Sequence, residues 1–135
     1  MKALFLILAS TIGLSSCSNK FKAKSTKPIQ SVVSFTRSKI DIGNVLVGTT
    51  KEIKFYAINK SNIPLLINSV KSSCACTVSE FPKTPIMQND SGLILAKYTP
   101  NQTNIGTLNK SIVVLANTTH PFTVLTFTGN VIENR

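Results

Sequence analysis

Short apolar runs, each broken after a few residues by Asn, Gly, Pro or Ser, fill the chain from Val32 onward. Nowhere in that stretch is a period of 3.6 sustained. Ile53, Phe55 and Ala57 alternate with Glu52, Lys54 and Tyr56, the period-2 signature of a half-buried strand. Val32, Val33 and Phe35 predict a first strand, and Ile40, Ile42 and Val45 a second, leading to a turn at Val47-Gly48-Thr49. Turn chemistry at Asn59-Lys60-Ser61-Asn62 is closed by Pro64, after which Leu65 and Ile67 open a strand running toward Val70. Phe81 to Pro85 holds two prolines and reads as a loop, followed by a turn from Gln88 to Gly92. Leu93 to Tyr98, Ser111 to Ala116 and Phe122 to Thr128 complete the set, with Ile112, Val114, Leu125 and Phe127 pointing inward. Seven or eight strands at this spacing predict an all-β sandwich, and the connections are too short for helical crossovers, so antiparallel sheets are expected.

The first thirty residues follow other rules. Met1-Lys2 gives a short positive start, Ala3 to Gly13 is apolar, and Leu14-Ser15-Ser16-Cys17 follows. The layout is that of a signal peptide, too short in its apolar run to span a bilayer. Its last four residues resemble the bacterial lipobox, an aliphatic residue and two small ones before cysteine. That resemblance implies cleavage before Cys17 and a thioether-linked diacylglycerol on its sulfur, with a further acyl chain, commonly palmitate, on its amine. Durable anchoring needs more than one chain. Ser18 to Gln30 is rich in Lys and Ser and reads as a flexible tether of roughly 20 Å. The expected organisation is thus a signal peptide over 1–16, a lipidated Cys17 with a basic tether over 17–30, and a sandwich over 31–135. The expected location is a bacterial envelope, with the domain on the periplasmic side of the outer membrane and the membrane itself as the first partner.

Charge changes this picture little. Fifteen Lys and Arg against five Asp and Glu give +10. The basic residues are scattered, however, and no Arg cluster or aromatic-basic stripe points to nucleic acid. Asp41, Glu52, Glu80, Asp90 and Glu133 are dispersed, and the one histidine, His120, sits in a turn. No carboxylate pair, Ser-His-Asp set or phosphate loop is legible, so a non-enzymatic protein without a cofactor is expected.

The remaining chemistry is Ser73-Cys74-Ala75-Cys76-Thr77. Cys74 and Cys76 admit four readings: buried apolar residues on one face of a strand, a mutual disulfide, a redox pair, or soft-metal ligands. On a regular strand, residues two apart are separated by about 6.5 Å, so a bridge needs a bend or bulge and is easily reduced. For copper or zinc the rest of the soft set is thin, namely His120 and Met87. Val113, Leu115 and Val124 should face outward, as a patch for a protein partner in the envelope or merely as a β-branched surface.

Phe35, Ile42-Gly43-Asn44-Val45, Gly48, Phe55, Asn59 and Pro64-Leu65-Leu66-Ile67 continue into Val70 and the Ser-Cys-Ala-Cys-Thr motif. Pro82, Pro85, Tyr98, Gly106, Ile112-Val113-Val114 and Gly129-Asn130-Val131 follow. In this order they resemble a bacterial domain of unknown function, number fifteen-seventy-three. The resemblance implies an exported immunoglobulin-like sandwich, akin to Hydin-type and major-sperm-protein-type folds, and no known activity. The family usually has glycine between its two cysteines; here Ala75 stands there.

Overall fold

The computed structural model describes residues 29–75 and 77–133. The signal and lipidation expectations and all of the tether but Ile29 and Gln30, with Cys17 and Cys76, fall outside them. Eight strands form: β1 (Val33–Phe35), β2 (Lys39–Leu46), β3 (Lys51–Asn59), β4 (Ile67–Ser72), β5 (Thr77–Glu80), β6 (Ser91–Tyr98), β7 (Gly106–Ala116) and β8 (Phe122–Ile132). They make two four-stranded sheets, β1-β3-β6-β5 and β2-β8-β7-β4. The alternation read in β3 is real: Ile53, Phe55 and Ala57 are buried and meet Ile94 and Ala96 from β6 in one core. Ile112, Val114, Leu125 and Phe127 enter it from the other sheet, as expected. Each such side chain contributes about 1.5–3 kcal/mol by leaving water.

One expectation is corrected. Not every pair is antiparallel, because β2 runs parallel to β8. β1 and β2 are one continuous path that pairs antiparallel with β3, then crosses at Thr36–Ser38 to the other sheet. Thr36 N–H donates to Tyr56 O before the crossing, and Thr126 N–H donates to Ser38 O after it. A strand that changes sheets without reversing must meet β8 in the same direction. No sequence pattern separates this from two antiparallel strands.

β5 was absent from the pattern altogether. Its inward positions, opposite Tyr98 and Ala96, are Thr77 and Ser79, so no apolar alternation marks it. What holds it is backbone pairing with β6 and an exposed Lys97–Glu80 ion pair at 2.8 Å.

Tyr98 is fully buried, and its ring meets Phe127 of the opposite sheet at 5.6 Å and 59°. Its hydroxyl has no hydrogen-bond partner among the described residues. Burial therefore raises its pKa above the ordinary 10.0. Below pH 10 the hydroxyl is protonated in both states, folded and unfolded. Above it the unfolded chain loses the proton first, so stability falls as pH rises, by up to about 1.4 kcal/mol per pH unit. Tyr98→Phe is expected to be neutral or stabilising by about 1 kcal/mol at pH 7, since it removes an unpaired buried group. Its advantage over the parent should widen above pH 10 in urea unfolding series; a gap constant with pH would contradict the assignment.

The connections sort to two ends. At one lie the entering chain, the β3–β4 and β5–β6 loops and the β7–β8 turn, tied by the Ser31–Thr118 and Leu65–Ile86 bridges. This is called the entry end below. At the other, Gly48 N–H donates to Pro100 O and Val47 N–H to Ile132 O.

Asn59 organises the entry end. It is the last residue of β3 and continues the inward series of Ile53, Phe55 and Ala57. Its Nδ2 donates to Ile63 O at 2.8 Å and Ile86 O at 3.0 Å. Its Oδ1 accepts from Ser61 N–H at 2.9 Å, with the Ser61 and Ser31 hydroxyls at 3.0 and 3.1 Å.

Candidate functional site

The β4–β5 connection carries the chain from one sheet to the other, and Cys74 lies in it. Its first reading, a residue on a regular strand face, is overturned: β4 ends at Ser72, and Thr77 N–H donates to Cys74 O at 3.2 Å, closing a four-residue turn. That turn is the bend a bridge between close cysteines requires. Ala75 does not need glycine's freedom, since Asn89 is the only non-glycine residue with positive φ among those described.

Three hydroxyl residues clamp the turn. Ser73 N–H donates to Ser111 O at 2.8 Å, and Ser111 N–H donates to Ser73 Oγ at 3.1 Å, which fastens the turn to β7. The Ser72 hydroxyl lies 2.7 Å from Thr77 O and 3.1 Å from Cys74 O and shares its one hydrogen between them. Thr77 is buried, with its Oγ1 at 3.9 Å from Cys74 Sγ. Cys74 is half-buried, packs against the core cluster and is disulfide-bonded. The sequence assigns these serines and threonines no role. Only the capture of β7 by Ser73 shows their role.

The soft-metal set does not converge on Cys74. Met87 follows the Leu65–Ile86 bridge and His120 lies in the β7–β8 turn, both at the entry end. Cys74 lies beyond the opposite end of β4, six residues and about 20 Å away. Among the described residues no group of three His, Cys, Asp or Glu is placed to hold a metal ion.

The carboxylates are less dispersed than their spacing implied. Glu52 is directly opposite Lys97, and Glu80 binds it from the other side. The hydrogen bond and charge of Glu80, with a smaller contribution from Glu52, raise the Lys97 pKa. This is an exposed ladder on an open sheet face and not a cleft. Asp41 is occupied locally, accepting from Gly43 N–H at 2.9 Å.

The outward residues of β7 and β8 do form a strip. Val113 is paired with Val124 and Leu115 with Phe122. Phe122 is 66% exposed and Val124 55%. Phe122, read only as the start of a strand, is the largest apolar surface in the strip.

Comparison with known proteins agrees with this architecture. A protein of unknown function from Porphyromonas gingivalis W83 superposes with a TM-score of 0.68 at 17% identity, over 81% of this chain and 51% of that one. The chain thus spans about half the length of that protein. The seventh PapD-like (ASH) domain of human CEP192 gives 0.64 at 12% identity, over 98% and 100%. A family 123 glycoside hydrolase from Clostridium perfringens gives 0.59 at 11% identity, over 78% of this chain and 28% of that one. At such identities the likeness speaks for the fold alone. No curated protein matches the sequence. Residues 33–131, from the start of β1 to the last residue but one of β8, match the family described as "Protein of unknown function (DUF1573)", and the chain belongs to that family.

Proposed function

We propose that this protein is a non-enzymatic binding or scaffold module of a bacterial envelope, lipid-anchored through Cys17. The observation that carries the binding role is the strip of exposed Val113, Phe122 and Val124 beside half-buried Leu115 on an otherwise well-packed sandwich. Scattered apolar residues are ordinary on a surface, whereas contiguous ones mark contacts. The lipobox resemblance at Leu14–Cys17 supports the anchor. Metabolic labelling with a radioactive fatty acid tests it: label should enter the parent and be absent from Cys17→Ser. Equal labelling of both, or none in the parent, would remove the anchor.

A thiol-redox role has an observation of its own, the disulfide of Cys74 in a tight turn. A dithiol reductant from a thioredoxin-like partner would open the bond, supplying two electrons and two protons and becoming a disulfide itself. Differential alkylation of protein taken from cells and analysed by mass spectrometry should show both states at Cys74 if the bond cycles. A fully oxidised population that resists dithiol reduction in the folded state would leave the bond a structural staple.

A further inference from the structure

Exposed apolar side chains are not evenly spread over this molecule. Of eleven large ones, six are at the entry end: Ile29, Val32, Leu66, Met87, Phe122 and Val124. A seventh, Val113, lies across the strand pair from Val124. The same end receives the chain from Cys17. Eleven residues lie between Cys17 and Ile29, so even fully extended the twelve steps reach about 40 Å. An anchored Cys17 therefore holds the entry end within about 40 Å of the bilayer.

Charge points the same way. Between Cys17 and Ile29 stand Lys20, Lys22, Lys24 and Lys27 without an acidic residue. At this end Lys60 N–H donates to Val32 O. One carboxylate, Asp90, is at this end; its carbonyl accepts from Asn59 N–H. Glu52 and Glu80 are committed to Lys97 on the outer face of the other sheet, and Asp41 lies in the β2 bulge. Between Val32 and the β7–β8 turn an open depression of about 440 Å³ is lined by Ser31, Val32, Val33, Thr118, His120 and Thr123. Apolar side chains with a basic surround are the pattern of an interfacial membrane contact.

We propose that the entry end of the sandwich docks into the headgroup region of an anionic bilayer, with Phe122 and Val124 as its deepest side chains. The domain then lies against the membrane by its β7–β8 turn. This rests on the Cys17 anchor for its geometry, but the two can fail separately.

The chain contains no tryptophan, so one introduced residue reports without background. Phe122→Trp and, on the outer face of the other sheet, Tyr56→Trp are made in the full lipidated chain. Each is reconstituted in phosphatidylethanolamine–phosphatidylglycerol vesicles containing brominated acyl chains. The emission of Phe122→Trp should shift to the blue and be quenched by bromine, while that of Tyr56→Trp stays water-like. Anchored protein whose Phe122→Trp emission remains water-like overturns docking and leaves the anchor standing. A blue shift that follows protein concentration and ignores lipid would mean that a second copy covers the surface, which also overturns it. Vesicle binding by the chain from Ser18 onward, without the leader and without Cys17, gives an arm without the anchor. It should rise with phosphatidylglycerol, weaken with salt, and fall about tenfold or more on Phe122→Asp. The same affinity for Phe122→Asp would overturn the proposal. Phe122 is mostly exposed, so its replacement leaves the core intact.

Discussion

Asn59→Ala is expected to lower the unfolding free energy by about 2–4 kcal/mol. The substitution deletes the Asn59 donors to Ile63 O and Ile86 O and the acceptor that holds Ser61 N–H; Ile86 O keeps the Leu65 N–H, and Ile63 O keeps the Ser31 and Ser61 hydroxyls. Each hydrogen bond lost costs about 0.5–1.5 kcal/mol, and the emptied volume adds to this. The three groups belong to the β3–β4 loop and the stretch before β6, and the Ser31 hydroxyl brings in the entering chain. The entry end should therefore loosen as a unit. Asn59→Asp separates geometry from hydrogen bonding: it keeps the shape and the acceptor, loses both donors, and places a charge in a fully buried position. It should be no less damaging than alanine. Urea denaturation of both variants tests this, and losses below about 1 kcal/mol would show that the knot contributes little.

Gly129→Ala is expected to cost about 2–4 kcal/mol and to act on one strand. Gly129 lies in β8 opposite a bulge in β2, where the register passes from Asp41–Thr128 to Asn44–Asn130. A Cβ there would overlap the carbonyl oxygen of Gly43 and stand 3.1 Å from Ile42 Cγ1. Gly43 cannot easily retreat. Its φ is +66°, and its N–H is held by Asp41. Backbone must move against backbone, so β2 has to part from β8; the cost lies at or above the usual range for overpacking. Gly92→Ala is the comparison. Its Cβ would meet the Pro82 ring and the end of the Ile86 side chain, which can turn away. It should cost less. Hydrogen exchange should show protection lost along Lys39–Leu46 in Gly129→Ala, with β3 and β6 unaffected. Uniform loss across both sheets would contradict a local detachment.

Much of the fold was legible because burial leaves a period-2 mark. β3 and the inward residues of β7 and β8 stand where alternation put them. β5 was not legible because its inward residues are Thr77 and Ser79. The parallel β2–β8 pair was not legible either, since pairing direction follows from a crossing that leaves no local sequence signal. Asn59 shows a subtler limit: it was read as turn chemistry, yet it occupies an inward strand position. A single asparagine serves both ends of that description, and only its five side-chain contacts distinguish a solvated turn from a buried knot. At the cysteine motif the residues announced sulfur chemistry and the need for a bend. They did not announce that Ser73 would fasten that bend to Ser111, 38 residues later.

By itself the amino-acid sequence determined the class of the protein: short amphipathic strands, turn residues at regular intervals, and a leader that resembles a lipoprotein signal. These are local properties, since the period of burial and the preference for turns act over a few neighbours. The tertiary structure alone decided which sheet each strand joined and how Asn59 ties three segments. It also decided that the soft side chains Met87 and His120 stand apart from Cys74 while the apolar ones gather where the chain enters. Those outcomes depend on residues far apart in sequence meeting at hydrogen-bond or van der Waals distance, which no short window of sequence contains.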